Sequence, residues 1–474
     1  MAFIEPRVSL SGGTATVREV ATGALLATIG VASAADVDVA VQAAVEAQPA
    51  WAASPAVERA AVLRRAAQAL AANRECVVEW LIREGGGIRA KAEHEVASTL
   101  DELWVAASLP TRPHGVLLPA EPGRRSHARR VPLGVVGVIS PWNFPLLLAM
   151  RAVAPALALG NAVVLKPDPR TAVSGGHVIA RLFEEADLPA DLLQVVPGPA
   201  DPGRALVAHP AVAMIAFTGS TAVGRQIGER AGGLLKRVSL ELGGNNAMIV
   251  LADADVDAAA SAGAWGAFFH QGQVCMAAGR HIVVAEVAEE YLDRLAARAD
   301  ALRVGDPWTQ DVQLGPIIDE VQLKRVRRIV EDTLAGGGVL RAGGGADGLF
   351  HRPTVIQVDS PDAPAFAEEV FGPVAPVLVV RDEEEALRVA NGVEHGLTAA
   401  IRTADSVHGL ELAARLRTGV AHVNDQTIND NAFVPFGGRG ASGNGTRYGA
   451  EQSVEEFTQW QWLTVRADQS HLPF

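Results

Sequence analysis

The stretch that decides the fold is residues 131–166, VPLGVVGVISPWNFPLLLAMRAVAPALALGNAVVLK. Arg151 is its only charged residue before the last position. A membrane-spanning helix needs about 20 mostly apolar residues whose backbone groups are bonded within the segment. Prolines, glycines and asparagines interrupt this stretch at short intervals, so we expect a strand over 135–139, a helix over 146–159 and a strand over 162–165. The pattern predicts a soluble α/β fold rather than a membrane span.

The same alternation continues along the chain. The apolar pattern predicts a helix over 175–186, a strand over 192–196, a helix near 204–208 and a strand over 214–217. A second α/β series extends over 246–430. Short apolar strands that alternate with helices are typical of a parallel sheet covered on both faces.

The two ends of the chain carry other patterns. The first hundred residues read as helices, one capped by Ser33 and the next opening at Pro55. Residues 110–130 are rich in proline and arginine and predict a projecting hairpin or a linker, whereas 457–465 predict a terminal strand. The glycine-rich residues 336–348 predict a loop between a helix and a strand. The expected buried stripe of the first helix consists of Val37, Val41, Ala44 and Val45.

The composition is that of a globular protein with an acidic surface. Its 474 residues are too many for one ordinary core, so we expect two or more domains. A net charge of −13, with no dense cluster of basic residues, argues against a nucleic-acid partner. Two cysteines and no recognisable signal peptide favour a reduced, cytoplasmic protein. The 12 histidines show no HExxH or paired Cys/His spacing, so no metal site is predicted.

Cys275, in HQGQVCMAAGR, is a candidate nucleophile. A lone cysteine is more often a buried, inert side chain. The case for chemistry comes from Glu241 in VSLELGGNNAMIV, a carboxylate at the end of an apolar strand. The glycines that follow it let a ligand or another backbone come close, and partial burial raises a carboxyl pKa toward that of a general base. Taken alone, Glu241 also fits a structural carboxylate.

Three further positions follow predicted strands, where open α/β sheets bind ligands. Asn143, in PWNFP, carries amide donors that suit an oxyanion, although a turn residue between two prolines is the other interpretation. The segment 217–224, FTGSTAVG, opens a helix with Ser220 near its cap, where backbone N–H groups bind phosphate. Lys166 ends another strand, within reach of a ribose hydroxyl or a phosphate.

In their order, PWNFP, LKP, FTGS, ELGG, GQxC, EEVFGPV and PFGG resemble the aldehyde dehydrogenase superfamily over nearly the whole chain. The resemblance implies that Cys275 is the nucleophile, that Glu241 is the general base, and that Asn143 and the Cys275 N–H form the oxyanion hole. It implies NAD as cofactor, with NADP as a second candidate. The implied cofactor-binding residues are Trp142, Lys166, Gly219, Ser220, Val223, Gly224, Leu242, Glu369 and Phe371.

The implied fold is a Rossmann-like cofactor domain, an α/β catalytic domain and a small bridging element. We assign residues 1–110 and 131–242 to the dinucleotide-binding domain and 243–445 to the catalytic domain. Residues 111–130 and 446–474 form the bridging and oligomerisation segments. Members of the family are usually dimers or tetramers, so we expect a homo-oligomer.

The resemblance is strongest to bacterial aromatic-aldehyde dehydrogenases of the benzaldehyde and vanillin type. It rests on FFHQGQVCMAAGRH around Cys275, AHVNDQTIND at 421–430, PFGGRGASGNG at 435–445 and the terminal FTQWQWLTV. The substrate is therefore expected to be a small aromatic aldehyde, oxidised to the acid through a thiohemiacetal and a thioester on Cys275. A helix N-terminus or the cationic nicotinamide is expected to lower the thiol pKa. The predicted pocket residues are Phe144, Leu148, Val274 and Met276.

The chain departs from the family pattern at two positions. Where many members carry a lysine nine residues after the asparagine of PWNFP, this chain has Ala152 with Arg151 beside it. Where many NAD-preferring members carry a glutamate, it has Pro169 followed by Arg170, so exclusion of NADP is not assured. Arg151 therefore leaves open a semialdehyde dehydrogenase that binds a substrate carboxylate. We expect instead that a neighbouring acidic or carbonyl group occupies this arginine.

Three other functions remain as alternatives. A CoA-acylating dehydrogenase shares the fold, but such enzymes typically lack the glutamate found here as Glu241. A cysteine hydrolase would pair Cys275 with His270, but it leaves Lys166, Glu369 and the FTGS segment unexplained. A catalytically idle structural role does not account for Cys275, Glu241 and Asn143 occurring together.

Overall fold

The computed structural model describes residues 9–466, and its N-terminal part begins with a hairpin rather than a helix. Strands β1 and β2 pair antiparallel, so the prediction that this part is helical throughout is wrong at its start. The threonines and Val17 of β1 favour a strand, but only Val17 is buried there, so the apolar signal is weak. The elements of this part are β1 (Thr14–Arg18), β2 (Leu25–Gly30), α1 (Ala34–Ala53), α2 (Ala56–Ala72), α3 (Arg74–Gly85) and α4 (Arg89–Ser108).

The predicted start of α1 is confirmed. Ser33 accepts hydrogen bonds from the Ala35 and Asp36 N–H groups, and the Asp36 carboxylate accepts from the Ser33 N–H, which completes a capping box. Val37, Val41 and Ala44 are buried as expected. The prediction that Val45 belongs to the buried stripe is wrong, because its side chain is 37% exposed and lies beside the stripe. The helix that opens after Pro55 is confirmed as α2.

The predicted alternation that follows is confirmed as a five-stranded, wholly parallel sheet. The strand order is β7-β6-β5-β8-β9, with helices between consecutive strands. Every residue of β6 and all but the last of β5 are buried, as expected for a sheet covered on both faces. The elements are β3 (Gly115–Leu117), β4 (Arg124–Pro132), β5 (Val135–Ile139), α5 (Pro145–Ala158), β6 (Ala162–Lys166), α6 (Val178–Glu185), β7 (Leu193–Val195), α7 (Ala200–Ala208), β8 (Val212–Gly219), α8 (Thr221–Gly233) and β9 (Arg237–Leu242).

The second α/β series forms a seven-stranded sheet in the order β12-β15-β16-β11-β10-β18-β19. All neighbours are parallel except β12 and β15. The elements are β10 (Ala247–Val250), α9 (Val256–Phe268), β11 (Arg280–Val284), α10 (Ala285–Ala301), α11 (Glu320–Ala335), β12 (Val339–Ala342), β13 (Ala346–Asp347), β14 (Phe350–His351), β15 (Thr354–Val358), α12 (Pro364–Ala367), β16 (Val374–Val380), α13 (Glu383–Ala390), β17 (His395–Gly396), β18 (Thr398–Arg402), α14 (Ser406–Ala413) and β19 (Val420–Val423).

The glycine-rich residues 336–348 are not a plain loop, so that prediction is wrong. They contain the edge strand β12, which pairs antiparallel with β15, and the short strand β13. Val339 and Leu340 of β12 are exposed, so the strand lacks the buried apolar face by which a sequence pattern is recognised.

A third, three-stranded sheet projects from the body of the molecule. The last elements are β20 (Arg439–Gly440), α15 (Ala450–Phe457) and β21 (Thr458–Arg466). Strand β21 pairs antiparallel with β4, and β4 pairs with β3. The hairpin predicted within 110–130 and the predicted terminal strand are thereby confirmed.

The two large sheets fall on either side of residues 243–246. The assignment of the chain to cofactor, catalytic and bridging domains stays a prediction, and its first eight and last eight residues lie outside the described residues. Within 9–466, no helix is both long and apolar enough to cross a membrane.

Candidate active site

The carboxyl edge of the five-stranded sheet collects five of the predicted site residues. Asn143 follows β5, and Lys166 is the last residue of β6. Gly219 ends β8, where it pairs with Leu242, and Thr218 pairs with Glu241 on β9. Parallel strands bring their carboxyl ends to one edge, and open α/β sheets bind ligands there.

Cys275 lies in a turn between a short 3-10 helix, Phe269–Gly272, and β11. Asn246 holds this turn, since its amide donates to the carbonyl oxygens of Cys275 and Ala277, both at 2.8 Å. The Asn143 amide donates to the Gln273 carbonyl at 3.0 Å. Asn143, which follows a strand of the five-stranded sheet, and Asn246, which precedes a strand of the seven-stranded sheet, therefore both bind the backbone of the turn around Cys275, the cysteine turn.

The surroundings of the free thiol oppose its ionisation. Burial, reinforced by the negative charges of Asp430 and Glu369, raises the pKa of Cys275 to about 12, while Arg151 acts in the opposite direction. Cys275 does not itself begin a helix, because its turn leads into β11, and the lowering of its pKa by a helix N-terminus or by the cationic nicotinamide stays a prediction.

The backbone N–H of Cys275 makes no hydrogen bond to any described residue. The second N–H of the Asn143 amide likewise has no described partner, because the only bond of that nitrogen is to Gln273. Two donors thus remain for the oxygen of a molecule bound at the cysteine. Such a pair is what stabilisation of an oxyanion requires.

Glu241 is buried at the end of β9, where the backbone N–H of Gly438 lies near its carboxylate and no side chain bonds to either carboxylate oxygen in the described structure. Burial raises the pKa of Glu241 to about 8, against the charges of Arg151 and Arg447. A carboxyl group with a pKa near neutrality and free lone pairs suits a general base acting on water.

Apolar side chains pack around Cys275 in one cluster. It contains all four predicted pocket residues. Phe144 lies 6.5 Å from Phe269, ring centre to ring centre, which gives the cluster two aromatic walls. Its other members are Leu147, Phe269, Ala277, Leu397, Val420, Ile428 and Phe436.

Arg151 is buried and already paired. Its guanidinium donates to Glu102 at 3.0 Å and to Asp430 at 2.6 Å, and it lies 4.9 Å from the centre of the Phe436 ring. The expectation that an acidic group occupies this arginine is confirmed. Because Asp430 belongs to the segment 421–430, the same pair fixes that segment beside the apolar cluster.

The N-terminus of α8 fits the phosphates of a dinucleotide. Ser220 is its N-cap residue, but its side chain makes no capping hydrogen bond, so the first N–H groups of the helix stay available for an anion. Gly224 allows the helix to approach β9, because a Cβ there would lie 2.4 Å from the Leu242 side chain. Val223 is 43% exposed and faces out of the same turn.

The remaining cofactor candidates are Lys166 at the end of β6, Glu369 beside Gly244, and the paired rings of Trp142 and Phe371. The Lys166 amine has no hydrogen-bond partner among the described residues, and burial lowers its pKa. Glu369 accepts from the Gly244 N–H at 2.9 Å, and burial raises its pKa to about 7. Phe371, which adopts a left-handed backbone with φ of 55°, packs edge-on to Trp142 at 5.4 Å. An amine, a carboxylate and two aromatic rings are groups that suit the riboses and the nicotinamide ring.

Several functional candidates were missed from sequence. Asn246 positions the cysteine turn, and Gln273 anchors it by accepting from the Ile318 N–H at 3.0 Å. The Asn-Asn pair after ELGG was a usable signal, because two amides directly before an apolar strand are buried and need specific partners. Phe269, Phe436 and Asp430 lie within motifs quoted above, but the motifs alone do not show which of their residues lie near Cys275.

His270 does not take the position of a hydrolase base. Its ring packs edge-on against Phe144 at 5.5 Å and lies beside the Asn143 backbone. Burial, together with the charge of Lys91, holds the pKa of His270 well below its usual value. The hydrolase alternative therefore has no support in the geometry.

The model of the aldehyde dehydrogenase family matches residues 8–463. The chain belongs to the aldehyde dehydrogenase family. It is 52% identical over 465 residues to a vanillin dehydrogenase from Amycolatopsis, covering 98% of this chain and 96% of that protein. It is 51% identical over 468 residues to an NAD-dependent benzaldehyde dehydrogenase from Pseudomonas putida, with the same coverage of both chains. The predicted family is confirmed, and so is the strong resemblance to benzaldehyde and vanillin dehydrogenases.

Solved structures agree with this family membership. The structure of an NAD-dependent benzaldehyde dehydrogenase from Corynebacterium glutamicum matches with a TM-score of 0.88 and 40% identity, covering 99% of this chain and 96% of that one. PnpE from Pseudomonas sp. WBC-3, in complex with nicotinamide adenine dinucleotide, matches with a TM-score of 0.94 and 34% identity over 98% and 97%. The predicted aldehyde dehydrogenase fold is confirmed.

Proposed function

We propose that this aldehyde dehydrogenase is a cytoplasmic enzyme that oxidises aromatic aldehydes of the benzaldehyde and vanillin type to carboxylic acids. The observation that carries the substrate class is the apolar cluster beside Cys275, with Phe144 and Phe269 as aromatic walls. Burying a ring there is worth roughly 1.5–3 kcal/mol. The names of the two relatives that are half identical to this chain support the same class.

In the proposed reaction the Cys275 thiol loses its proton to water, a loss that the positive charge of a bound nicotinamide would favour, and the thiolate attacks the aldehyde carbon. The carbonyl oxygen takes the negative charge and receives hydrogen bonds from Asn143 and the Cys275 N–H. Bound NAD or NADP supplies the hydride acceptor for the oxidation. Water then attacks the thioester carbon while Glu241 takes its proton, and the Cys275 thiolate leaves. The acid is released, and the active-site cysteine is regenerated.

We propose NAD as the preferred cofactor, with NADP also used. Lys166 and Glu369 would hold the two riboses, and Phe371 would pack on the nicotinamide ring beside Trp142. The first turn of α8 would bind the pyrophosphate through Gly219, Ser220, Val223 and Gly224, with Leu242 below it. Because Pro169 carries no charge, it does not repel a 2′-phosphate.

A panel of aldehydes tests the substrate class. We expect kcat/KM for benzaldehyde to exceed that for succinate semialdehyde by about ten- to hundredfold, because the ring is buried and Arg151 is occupied. The assay is absorbance at 340 nm with NAD. If succinate semialdehyde is the better substrate, and Arg151→Ala removes that preference, the proposed substrate class is wrong.

The same variant has a separate structural effect. Arg151→Ala leaves the buried carboxylates of Glu102 and Asp430 without their partner, which costs about 3–5 kcal/mol of stability. We therefore expect a lower Tm, with the order of preference among aldehydes retained. Thermal melts alongside the aldehyde panel separate a loss of fold from a change in selectivity.

We also propose that the enzyme is a homodimer or homotetramer in which the projecting sheet and the segments 111–130 and 446–474 make the contacts. Trp460, Trp462 and Val465 of β21 are each more than half exposed, and β21 is an edge strand. Light scattering coupled to gel filtration should give two or four times the chain mass of 49.5 kDa. Trp462→Asp combined with Val465→Asp should shift the mass toward the monomer. A wild-type mass of one chain would contradict the proposal.

A further inference from the structure

Arg170 links the part of the chain that carries the five-stranded sheet to the part that carries the seven-stranded sheet, through Asp319. It lies beside Lys166 and Trp142, which with Phe371 and Glu369 border the proposed cofactor groove. It lies in the short 3-10 helix Pro169–Thr171, which directly follows β6 and Lys166. Its Nε and Nη2 donate to the two oxygens of Asp168 at 2.8 and 2.9 Å. Its Nη1 donates to Asp319, the N-cap residue of α11, at 3.1 Å. The guanidinium is therefore shared between two carboxylates.

The same guanidinium lies over a ring of the groove. It is 4.9 Å from the centre of Trp142, and Trp142 packs against Phe371. About a third of the Arg170 and Asp319 side chains remains exposed, so the ion pair is open to solvent and to a ligand at the groove. Stacking on Trp142 limits where the guanidinium can go, whereas its hydrogen-bond partners can be exchanged.

The charged side chains around Arg170 do not favour the binding of an anion such as a 2′-phosphate. Arg170 and the nearby Lys166 bring two positive charges, and Asp168 and Asp319 bring two negative ones, so the four side chains together are neutral. A 2′-phosphate carries a charge of about −1.5 to −2 and needs a guanidinium whose N–H groups are free. Here Asp168 and Asp319 accept hydrogen bonds from three of the five N–H groups of Arg170 and cancel its charge, whereas a ribose hydroxyl needs no such partner.

We propose that Asp319, by holding Arg170, is a specificity-determining residue that disfavours NADP relative to NAD. The inference rests on the proposed function, because it takes the Lys166 edge as the place of the adenosine ribose. The uncharged Pro169 does not discriminate between NAD and NADP. The ion pair between Arg170 and Asp319 takes that role instead. Freed from Asp319, the stacked guanidinium has an N–H edge to offer a phosphate.

Asp319→Asn tests this with little change to the fold. The Asp319 carboxylate caps α11 by accepting the Gln322 N–H at 2.8 Å, and an asparagine oxygen can make the same bond. The amide nitrogen then faces Arg170 as a second donor, which ends the pair. We expect NADPH to bind about five- to tenfold more tightly, with the Kd of NADH changed less than about twofold. The Kd values are measured from nucleotide fluorescence without aldehyde, and the gain should shrink at high salt.

Asp382→Asn is the matched control. Asp382 caps α13 with φ and ψ of −158° and 174°, against −159° and 173° for Asp319, and accepts the Glu385 N–H at 2.8 Å. It follows the carboxyl end of β16, a seven-residue strand whose other end adjoins Phe371, so it is roughly 20 Å from the groove. The same loss of charge and the same cap change should leave both Kd values as they are in the wild type.

A second variant identifies the group that binds the phosphate. Adding Arg170→Met to Asp319→Asn should abolish the gain in NADPH affinity. The inference is overturned if Asp319→Asn leaves the NADPH:NADH ratio unchanged, or if the gain survives Arg170→Met. Asp319→Ser, which also caps a helix without charge, provides the same test if the asparagine variant folds poorly. Failure of the wild type to bind NADH at all would instead refute the proposed function.

Discussion

Replacing Cys275 with serine is expected to reduce aldehyde oxidation by a factor on the order of 10⁴ or more. A serine hydroxyl is a much weaker nucleophile, and His270, the histidine nearest to Cys275 in sequence, packs its ring against Phe144. The substitution removes no hydrogen bond of the turn, because Asn246 binds the Cys275 backbone carbonyl. NADH should therefore bind with a Kd within about twofold of the wild type. Steady-state absorbance at 340 nm and NADH fluorescence measure the two effects separately.

The chain offers a matched control for this experiment. Cys76 on α3 is its only other cysteine, is partly exposed and lies outside the candidate site. Cys76→Ser makes the same atomic change and should leave kcat within about twofold of the wild type. Turnover by Cys275→Ser above about one hundredth of the wild type, at normal folding, would contradict the assignment of Cys275 as the nucleophile.

The sequence was most informative where burial is greatest. Strands β5 and β6 are apolar at almost every position because both faces of their sheet are covered, so their pattern alone predicts them. The missed strands β1 and β12 each bury a single residue and lie at the surface. Their conformation is determined by pairing with β2 and β15, which a local pattern does not contain.

The residues of the candidate site were likewise predictable where they end a buried apolar strand, and unpredictable where they depend on distant parts of the chain. Asn143, Lys166 and Glu241 could be proposed because each stands at the end of an apolar strand, where a polar side chain needs an explanation. The partners of Arg151 could be expected as a class but not named, since Glu102 and Asp430 lie 49 and 279 residues away along the chain. The raised pKa of the Cys275 thiol likewise depends on Asp430 and Glu369, which only the folded chain brings near it.

Ionisation of Glu241 makes the second half of the reaction dependent on pH. Its pKa is raised to about 8, and only the ionised carboxylate can accept a proton from water. The rate of deacylation should therefore rise with pH through about 8 and fall below it, as the carboxyl becomes protonated. Hydride transfer within the first turnover does not use this group and should not follow the same profile.

Glu241→Gln is accordingly expected to oxidise one equivalent of aldehyde and then stall. The glutamine has nearly the same volume but cannot accept the proton of the attacking water, so the thioester on Cys275 accumulates. Stopped-flow absorbance at 340 nm should show a burst of about one NADH per active site, followed by a slow phase that lacks the pH dependence of the wild type. Glu369→Gln is the contrasting variant, because that buried carboxylate bonds Gly244 at the cofactor groove and should affect NADH binding without producing a burst. A uniformly slow Glu241→Gln reaction with no burst would mean that Glu241 acts earlier, in activating the thiol.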